Sequence, residues 1–503
     1  MFGVIEGFYG RPWSWAQRAE VATWCADRGM DHFLYAPKDD PLHRERWREP
    51  YGSDVLAEFE RLASNGRVTV GFGLSPGLSI DANSVDDRAA MGAKVDQVVE
   101  AGVGLVALLL DDIPVRPGLG PEHARLATWL VEHLAGRASV VLCPTEYTGT
   151  RSTPYLDALA EGLPAEVPVF WTGATVVCPR IELADALARA ASLGGRPPLV
   201  WDNYPVNDAT MTDRLFLGPL RGRDRTLPSA VAGWFANPMP QARSSLLPLA
   251  SIAAFLRGDD PTEQWRAEAE GLGWLVAAEG CDGAVPGDLV SALEDSIGTP
   301  DWAPALGAMD AWARAAASVD APGIDGADEA GPWLEQLRME AGMLRTATRL
   351  LQLAHPVARW DAGDSLWVAP PDSTSAAQHA VALAALWPGI RRAERTVLGP
   401  RCSVRPVLSQ DAGGEWEFHL SSVERGHNAL DRLIEVALET ADRCRSGAPL
   451  LLEIDGAVVP IDHAGGRVVP PAGTQSVLLR SGSAATRVRP GDEPPLPDRR
   501  LAV

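Results

Sequence analysis

The stretch LVALLLDDIP, residues 105–114, runs six apolar residues straight into two adjacent aspartates. It neither alternates like a half-buried strand nor spaces its apolar residues three and four apart like an amphipathic helix. A short, near-continuous apolar run suits a strand buried on both faces, the condition of a parallel sheet covered by helices. Seven further runs share the pattern: FGVIEG (2–7), HFLYAP (32–37), RVTVGFGL (67–74), SVVLCPTEY (139–147), VPVFWTG (167–173), PLVWDN (198–203) and AVAGWFAN (230–237). Amphipathic stretches separate them, among them SWAQRAEVATWCADRG (14–29) and SVDDRAAMGAKVDQVVEAG (84–102), the latter opening on a Ser cap and closing at Gly. Eight strand–helix repeats within about 250 residues predict an α/β fold with an N-terminal (β/α)8 TIM barrel over residues 1–258. An open doubly wound sheet is the alternative, but no Gly-rich phosphate loop follows the first strand.

Past the barrel, strand signals are absent from about residue 260 to 358. EQWRAEAEGLGWLVAAEG and AGPWLEQLRMEAGMLRTATRLLQLA predict an α-helical bundle domain over residues 259–360. The PPDSTS segment near residue 370 reads as a linker or exposed loop. Residues 361–503 predict a smaller mixed α/β region, with helix-like ALDRLIEVALETADRC (429–444), strand-like PLLLEIDGAVVPID and TQSVLLRSG, and a loose tail. Trp265, Trp274, Trp302, Trp312 and Trp333 read as core rather than as carbohydrate platforms.

With 46% hydrophobic and 22% charged residues, the composition is that of a soluble globular protein. A formal charge of −21 disfavours nucleic acid or an anionic membrane as partner. No apolar stretch reaches the roughly 20 residues of a membrane-spanning helix. MFGVIEGFYGRPW lacks the basic and long apolar segments of a signal peptide, so a cytoplasmic location is expected. The six cysteines are scattered without CxxC spacing, which argues against a disulfide framework and a zinc site. No cofactor or metal is expected.

Asp-Asp pairs occur four times, at 39–40, 86–87, 111–112 and 259–260, so the pair alone carries little information. The pair at 86–87 suits a helix start. Those at 39–40 and 111–112 each end an expected barrel strand, where active sites of this architecture are built. The other strand ends bring Glu6–Gly10, Tyr35–Lys38, Pro144–Tyr147, Trp201–Asn203 and Asn237 to the same mouth. Such a set of donors, acceptors and an apolar platform suits a sugar ring. The G-x-S-x-G pattern at Gly73–Gly77 is set aside, because Pro76 has no N–H to offer an oxyanion.

The blocks GVIEGFYGRPW (3–13), YAPKDDPLHRERWREPY (35–51), SPGL (75–78), ALLLDDI (107–113), CPTEYTGT (143–150), WTG (171–173), WDNYPVND (201–208) and LFLGPLRGR (215–223) resemble glycoside hydrolase family 84. That family comprises retaining β-N-acetylglucosaminidases, protein O-GlcNAcases among them. The resemblance implies that Asp111 orients and polarises the substrate 2-acetamido group and that Asp112 is the general acid/base. It implies that Gly7, Lys38, Asn203, Asp208 and Asn237 hold sugar hydroxyls. Tyr147 would bond near the acetamido group, with Cys143, Thr172, Val176 and Trp201 lining the N-acetyl pocket.

Glycosidases that rely on two opposed carboxylates place them about 5 Å apart or more across the bond. Neighbouring residues suit a substrate-assisted route through an oxazoline instead, and the resemblance implies terminal β-linked N-acetylglucosamine as substrate. Three alternatives stand beside it: another N-acetylhexosaminide (hyaluronan-, chitin- or peptidoglycan-derived), a sugar-binding module without turnover, and metal-dependent hydrolysis. The helical domain and the mixed C-terminal region are expected to mediate homodimerisation or to shape the aglycone site, and the sequence favours neither.

Overall fold

The computed structural model describes residues 1–271 and, beyond them, 307, 311, 313–315, 327–354, 357–360, 366–369, 372–391, 404–410, 416–422, 434, 437–438, 450–460, 466–481 and 484–488. The chain divides into two compact units, residues 1–278 with 322–330, and residues 279–321 with 331–503.

In the first unit, β1 (Phe2–Glu6), β2 (His32–Tyr35), β3 (Thr69–Leu74), β4 (Leu105–Leu109), β5 (Ser139–Cys143), β6 (Val169–Trp171), β7 (Pro198–Asp202) and β8 (Gly233–Ala236) form a closed parallel barrel in sequence order. β8 closes directly on β1, with Phe2 opposite Trp234. Helices α1 (Trp15–Asp27), α2 (Ser53–Ser64), α3 (Val85–Glu100), α4 (Leu119–Leu134), α5 (Pro154–Gly162) and α6 (Leu183–Ser192) follow the first six strands, and α7 (Ala242–Arg257) follows the eighth. Their starts are written locally. Ser14 and Gln17 form a reciprocal capping box, Ser84 accepts from the Asp87 N–H, and Thr153 caps a helix with Pro154 in its first turn. One repeat departs from the expected pattern. The β7–β8 crossover carries two short 3-10 turns, Ala209–Met211 and Leu227–Ser229, where an α-helix was expected.

Strand residues alternate between two cores. Leu105, Ala107 and Leu109 of β4 face the barrel interior together with Ile5, Leu34, Val141, Phe170, Leu199 and Phe235. Val106, Leu108 and Leu110 face the helices. This two-sided burial is the reason the strands read as unbroken apolar runs. Helix α8 (Pro261–Gly271) follows α7, and its buried Trp265 donates through Nε1 to the Leu217 carbonyl at 2.6 Å.

The 28-residue α9 (Ala327–Ala354) carries Trp333, also buried. In the second unit β9 (Val357–Trp360), β10 (Leu366–Ala369) and β15 (Gly466–Val468) form a three-stranded sheet. β11 (Val404–Gln410) pairs with β12 (Trp416–Ser422). β13 (Leu450–Ile454), β14 (Ala457–Pro460), β16 (Val477–Ser481) and β17 (Ala484–Val488) form a four-stranded antiparallel sheet. The PPDSTS segment is not wholly a linker: α10 (Ser373–Arg391) begins within it, and Asp372 Oδ1 accepts from the Ser375 N–H as a cap would. The helix-like segment 429–444 lies outside the described residues except at 434, 437 and 438, and the tail 489–503 lies outside them entirely. Among the described residues no helix is long and apolar enough to cross a membrane.

Candidate active site

Inward alternation continues past the strand ends and delivers a polar set to the barrel's C-terminal mouth. Gly7 follows Ile5, Lys38 follows Leu34 and Ala36, and Asp111 follows Leu109 at the same two-residue spacing. Thr172 follows Phe170, Asn203 follows Trp201, and Asn237 follows Phe235, while Cys143 and Trp201 are inward strand residues themselves. All eight line one cavity of about 420 Å³, together with Asp112, Tyr147, Val176 and Asp208. The twelve residues singled out from the sequence therefore share one site.

Alternation alone would send Asp112 outward. Its backbone instead takes φ 57°, in the left-handed region that Asp tolerates better than most non-glycine residues. That turn brings the second carboxylate to the cavity beside the first.

The two carboxylates sit in different surroundings. Asp111 is buried, and its Oδ2 pairs with the buried Lys38 ammonium. Its Oδ1 is shielded from solvent and receives no hydrogen bond from another described residue. Burial pushes the Asp111 carboxyl up, but the Lys38 charge outweighs it and holds the group below the ordinary carboxylate range. Burial likewise works to lower the Lys38 ammonium, and Asp111 followed by Asp112 keeps it above its ordinary value. Asp112 is about one-third exposed, with side-chain exposure of 34%. Its Oδ1 accepts from Tyr147 OH at 3.0 Å and its Oδ2 from Tyr9 OH at 3.2 Å, with Lys38 Nζ 3.8 Å from Oδ2. Burial, followed by the Asp112 charge, pushes the Tyr147 phenol well above its ordinary range.

The opposite wall is an amide network. Asn237 accepts from the Gly7 N–H at 3.2 Å and donates to Asn203 Oδ1 at 2.9 Å. That oxygen also accepts from Trp201 Nε1 at 3.1 Å, and Asn203 Nδ2 donates to the Val176 carbonyl at 2.7 Å. A Cβ on Gly7 would stand 2.5 Å from Trp201 Cζ2, so only glycine admits the indole here. Asp208 accepts from the Tyr9 N–H at 2.8 Å, and burial raises its carboxyl above the ordinary value.

Several strand-end residues serve the frame instead of the cavity. Glu6 is buried in a two-pronged pair with Arg18 at 2.7 and 2.9 Å. Asp40 accepts from Tyr35 OH at 2.8 Å and Tyr51 OH at 2.5 Å, while Asp39 accepts from the Gly10 N–H. Asp202 is clamped by Arg223 at 2.6 and 3.0 Å. Sequence reasoning assigned no role to Tyr9, Val177, Val206, Ala209, Thr210 or Met211, which also line the cavity. The last three come from the 3-10 turn that replaces the seventh helix, where no periodic signal exists.

A family model described as beta-N-acetylglucosaminidase matches residues 2–278, more than half of the chain. The chain belongs to that family. It is thus a member of glycoside hydrolase family 84, and the matched segment contains the whole barrel with every residue of the cavity. The protein O-GlcNAcases of Rattus norvegicus and Mus musculus are each 31% identical to it over 275 residues, which is 51% of this chain and 30% of theirs. The chain therefore aligns with less than a third of the length of these curated relatives. Among solved structures, an O-GlcNAc hydrolase mutant from Thermobaculum terrenum superposes with a TM-score of 0.70 over 88% of this chain and 94% of that one, at 24% identity. At that identity the likeness is one of fold.

Proposed function

We propose that this family member is a retaining, exo-acting β-N-acetylglucosaminidase that removes terminal β-linked N-acetylglucosamine from a glycoconjugate or oligosaccharide by substrate-assisted catalysis. The observation that carries the reading is the unmatched, buried Asp111 Oδ1 at the cavity, next to a second carboxylate turned into the same space by a left-handed residue. An acceptor that takes no hydrogen bond from another described residue is suited to a donor from the ligand. The N–H of a 2-acetamido group is such a donor, and bonding it pushes electron density onto the acetamido oxygen.

In the first step the acetamido oxygen forms a bond to the anomeric carbon as the glycosidic bond breaks. Its electrons pass to the departing oxygen, which takes the proton of Asp112. Asp111, kept ionised by Lys38, offsets the positive charge spreading over the oxazoline ring. In the second step Asp112 removes a proton from water, whose oxygen attacks the anomeric carbon and reopens the ring with net retention. Asp208 is the third carboxylate at the cavity, and its bond to the Tyr9 N–H suits a role in holding sugar hydroxyls with Asn203 and Asn237. Lys38 keeps two N–H groups beyond the one given to Asp111. Cys143, Thr172, Val176 and Trp201 supply a mostly apolar recess for the acetyl methyl, with Tyr147 beside it.

The test is Asp112→Ala assayed on N-acetylglucosaminides that differ in leaving group. A loss of about 10²–10⁴ is expected on poor leaving groups, as for general acid–base catalysis, and a much smaller one on activated aryl glycosides. Equal losses on both would remove Asp112 from the acid role.

A further inference from the structure

The two oxygens of Asp112 are not equivalent, and the difference traces to a residue outside the cavity wall. Tyr9 OH donates to Oδ2, and the same phenolic oxygen lies 3.1 Å from Arg44 Nη1. The Arg44 guanidinium also stands 5.7 Å from the Tyr9 ring centre, a second contact that fixes its place. A guanidinium has donors only. The Tyr9 oxygen must therefore accept from Arg44, and its single hydrogen is left pointing at Asp112 Oδ2. Lys38 Nζ, 3.8 Å away, adds positive potential at that same oxygen. Among the described residues Oδ1 faces Tyr147 OH alone, and Tyr147 OH has no second partner to hold its hydrogen in place.

We infer that Arg44 is a positioning residue that acts through Tyr9 to keep Asp112 Oδ2 as a permanent acceptor, which makes Oδ1 the oxygen that gives and takes the catalytic proton. The inference rests on the acid/base role proposed for Asp112. In the glycosidic step the Oδ1 proton passes to the departing oxygen as the glycosidic bond's electrons go there. In the hydrolytic step Oδ1 takes the proton from the attacking water. Tyr147 turns its hydroxyl away from Oδ1 while that oxygen carries the proton for the departing group, and back to donate once the carboxylate re-forms. Without Arg44 the Tyr9 hydrogen is free to turn away, and the proton of Asp112 divides between two oxygens, one of them aimed away from the bond to be broken.

The experiment compares wild type, Arg44→Met, Arg44→Lys, Tyr9→Phe and the Arg44→Met/Tyr9→Phe double variant. The readout is kcat/KM on aryl N-acetyl-β-glucosaminides with activated and with poor leaving groups. Arg44→Met is expected to lose about five- to tenfold on poor leaving groups, the worth of one charge-assisted hydrogen bond, and under about twofold on activated ones. Arg44→Lys recovers part of the loss. In the Tyr9→Phe background Arg44→Met has no further effect, because the path between the two residues is gone. Equal losses of Arg44→Met on both leaving-group classes, or additive effects in the double variant, overturn the inference while Asp112 keeps its role. A wild-type protein that hydrolyses no N-acetylglucosaminide overturns the proposed function, and this inference falls with it.

Discussion

Asp111 and Asp112 are neighbours in sequence, yet one is a buried ion-pair partner of Lys38 and the other a partly exposed acceptor of two phenols. The left-handed turn at Asp112 lets both reach one cavity without facing each other across it. That arrangement supports the two roles proposed for them on one side of a sugar.

Asp111→Asn is expected to reduce kcat/KM by about 10² or more whatever the leaving group, because the charge that supports oxazoline formation is gone. It also strands the Lys38 ammonium. Removing one partner of a buried pair costs about 3–5 kcal/mol. Adding Lys38→Met to Asp111→Asn should restore thermal stability without restoring activity, and a melting curve beside a rate measurement separates the two effects. Activity that returned with stability would mean Asp111 is only structural.

Gly7→Ala places a methyl against Trp201, which must shift and carry Asn203 with it through the Nε1 bond. Overpacking of this kind costs about 1–3 kcal/mol. A misplaced wall is expected to raise KM by roughly tenfold or more. Michaelis–Menten kinetics on one aryl substrate decide it: an unchanged KM would show that the indole does not bear on the sugar.

The barrel was legible because all eight strands are buried on both faces and advertise themselves as apolar runs. The runs overshoot the strands at their C-terminal ends: β4 stops at Leu109, while Leu110 and Asp111 remain buried. That overshoot is the site itself, since inward residues past the strand ends wall the cavity. Tyr9 and the 209–211 turn were not assigned, because their places depend on one hydrogen bond to Asp208 and on a crossover without helical period. Strand-end position alone does not distinguish Asp40, held by two tyrosines, from Asp112, since both follow the same kind of strand; the family resemblance does.

Lys94 predicts a pH dependence of stability unrelated to catalysis. Lys94 is buried, 1% exposed as a residue; its ammonium lies 4.1 Å from the Tyr51 ring centre and has no hydrogen-bond partner among the described residues. Burial lowers it from 10.5 to about 8. In the native state it binds fewer protons than in the unfolded chain between these values, so its destabilising effect is full below pH 8 and fades as pH rises to 10.5. Lys94→Met keeps the packing of the stem and removes the charge. The variant should melt higher than wild type at pH 7, by roughly 2–4 °C per kcal/mol relieved, with the gap closing towards pH 10. A gap independent of pH would contradict the assignment.

The central claim is that the substrate's own acetamido group is the nucleophile. The most direct measurement is kcat/KM for an aryl N-acetyl-β-glucosaminide against the aryl β-glucoside with the same leaving group. The account predicts ready hydrolysis of the first and none measurable of the second, with competitive inhibition by a thiazoline that mimics the oxazoline. Comparable rates on the two substrates would contradict it, because a glucoside has no acetamido oxygen to attack.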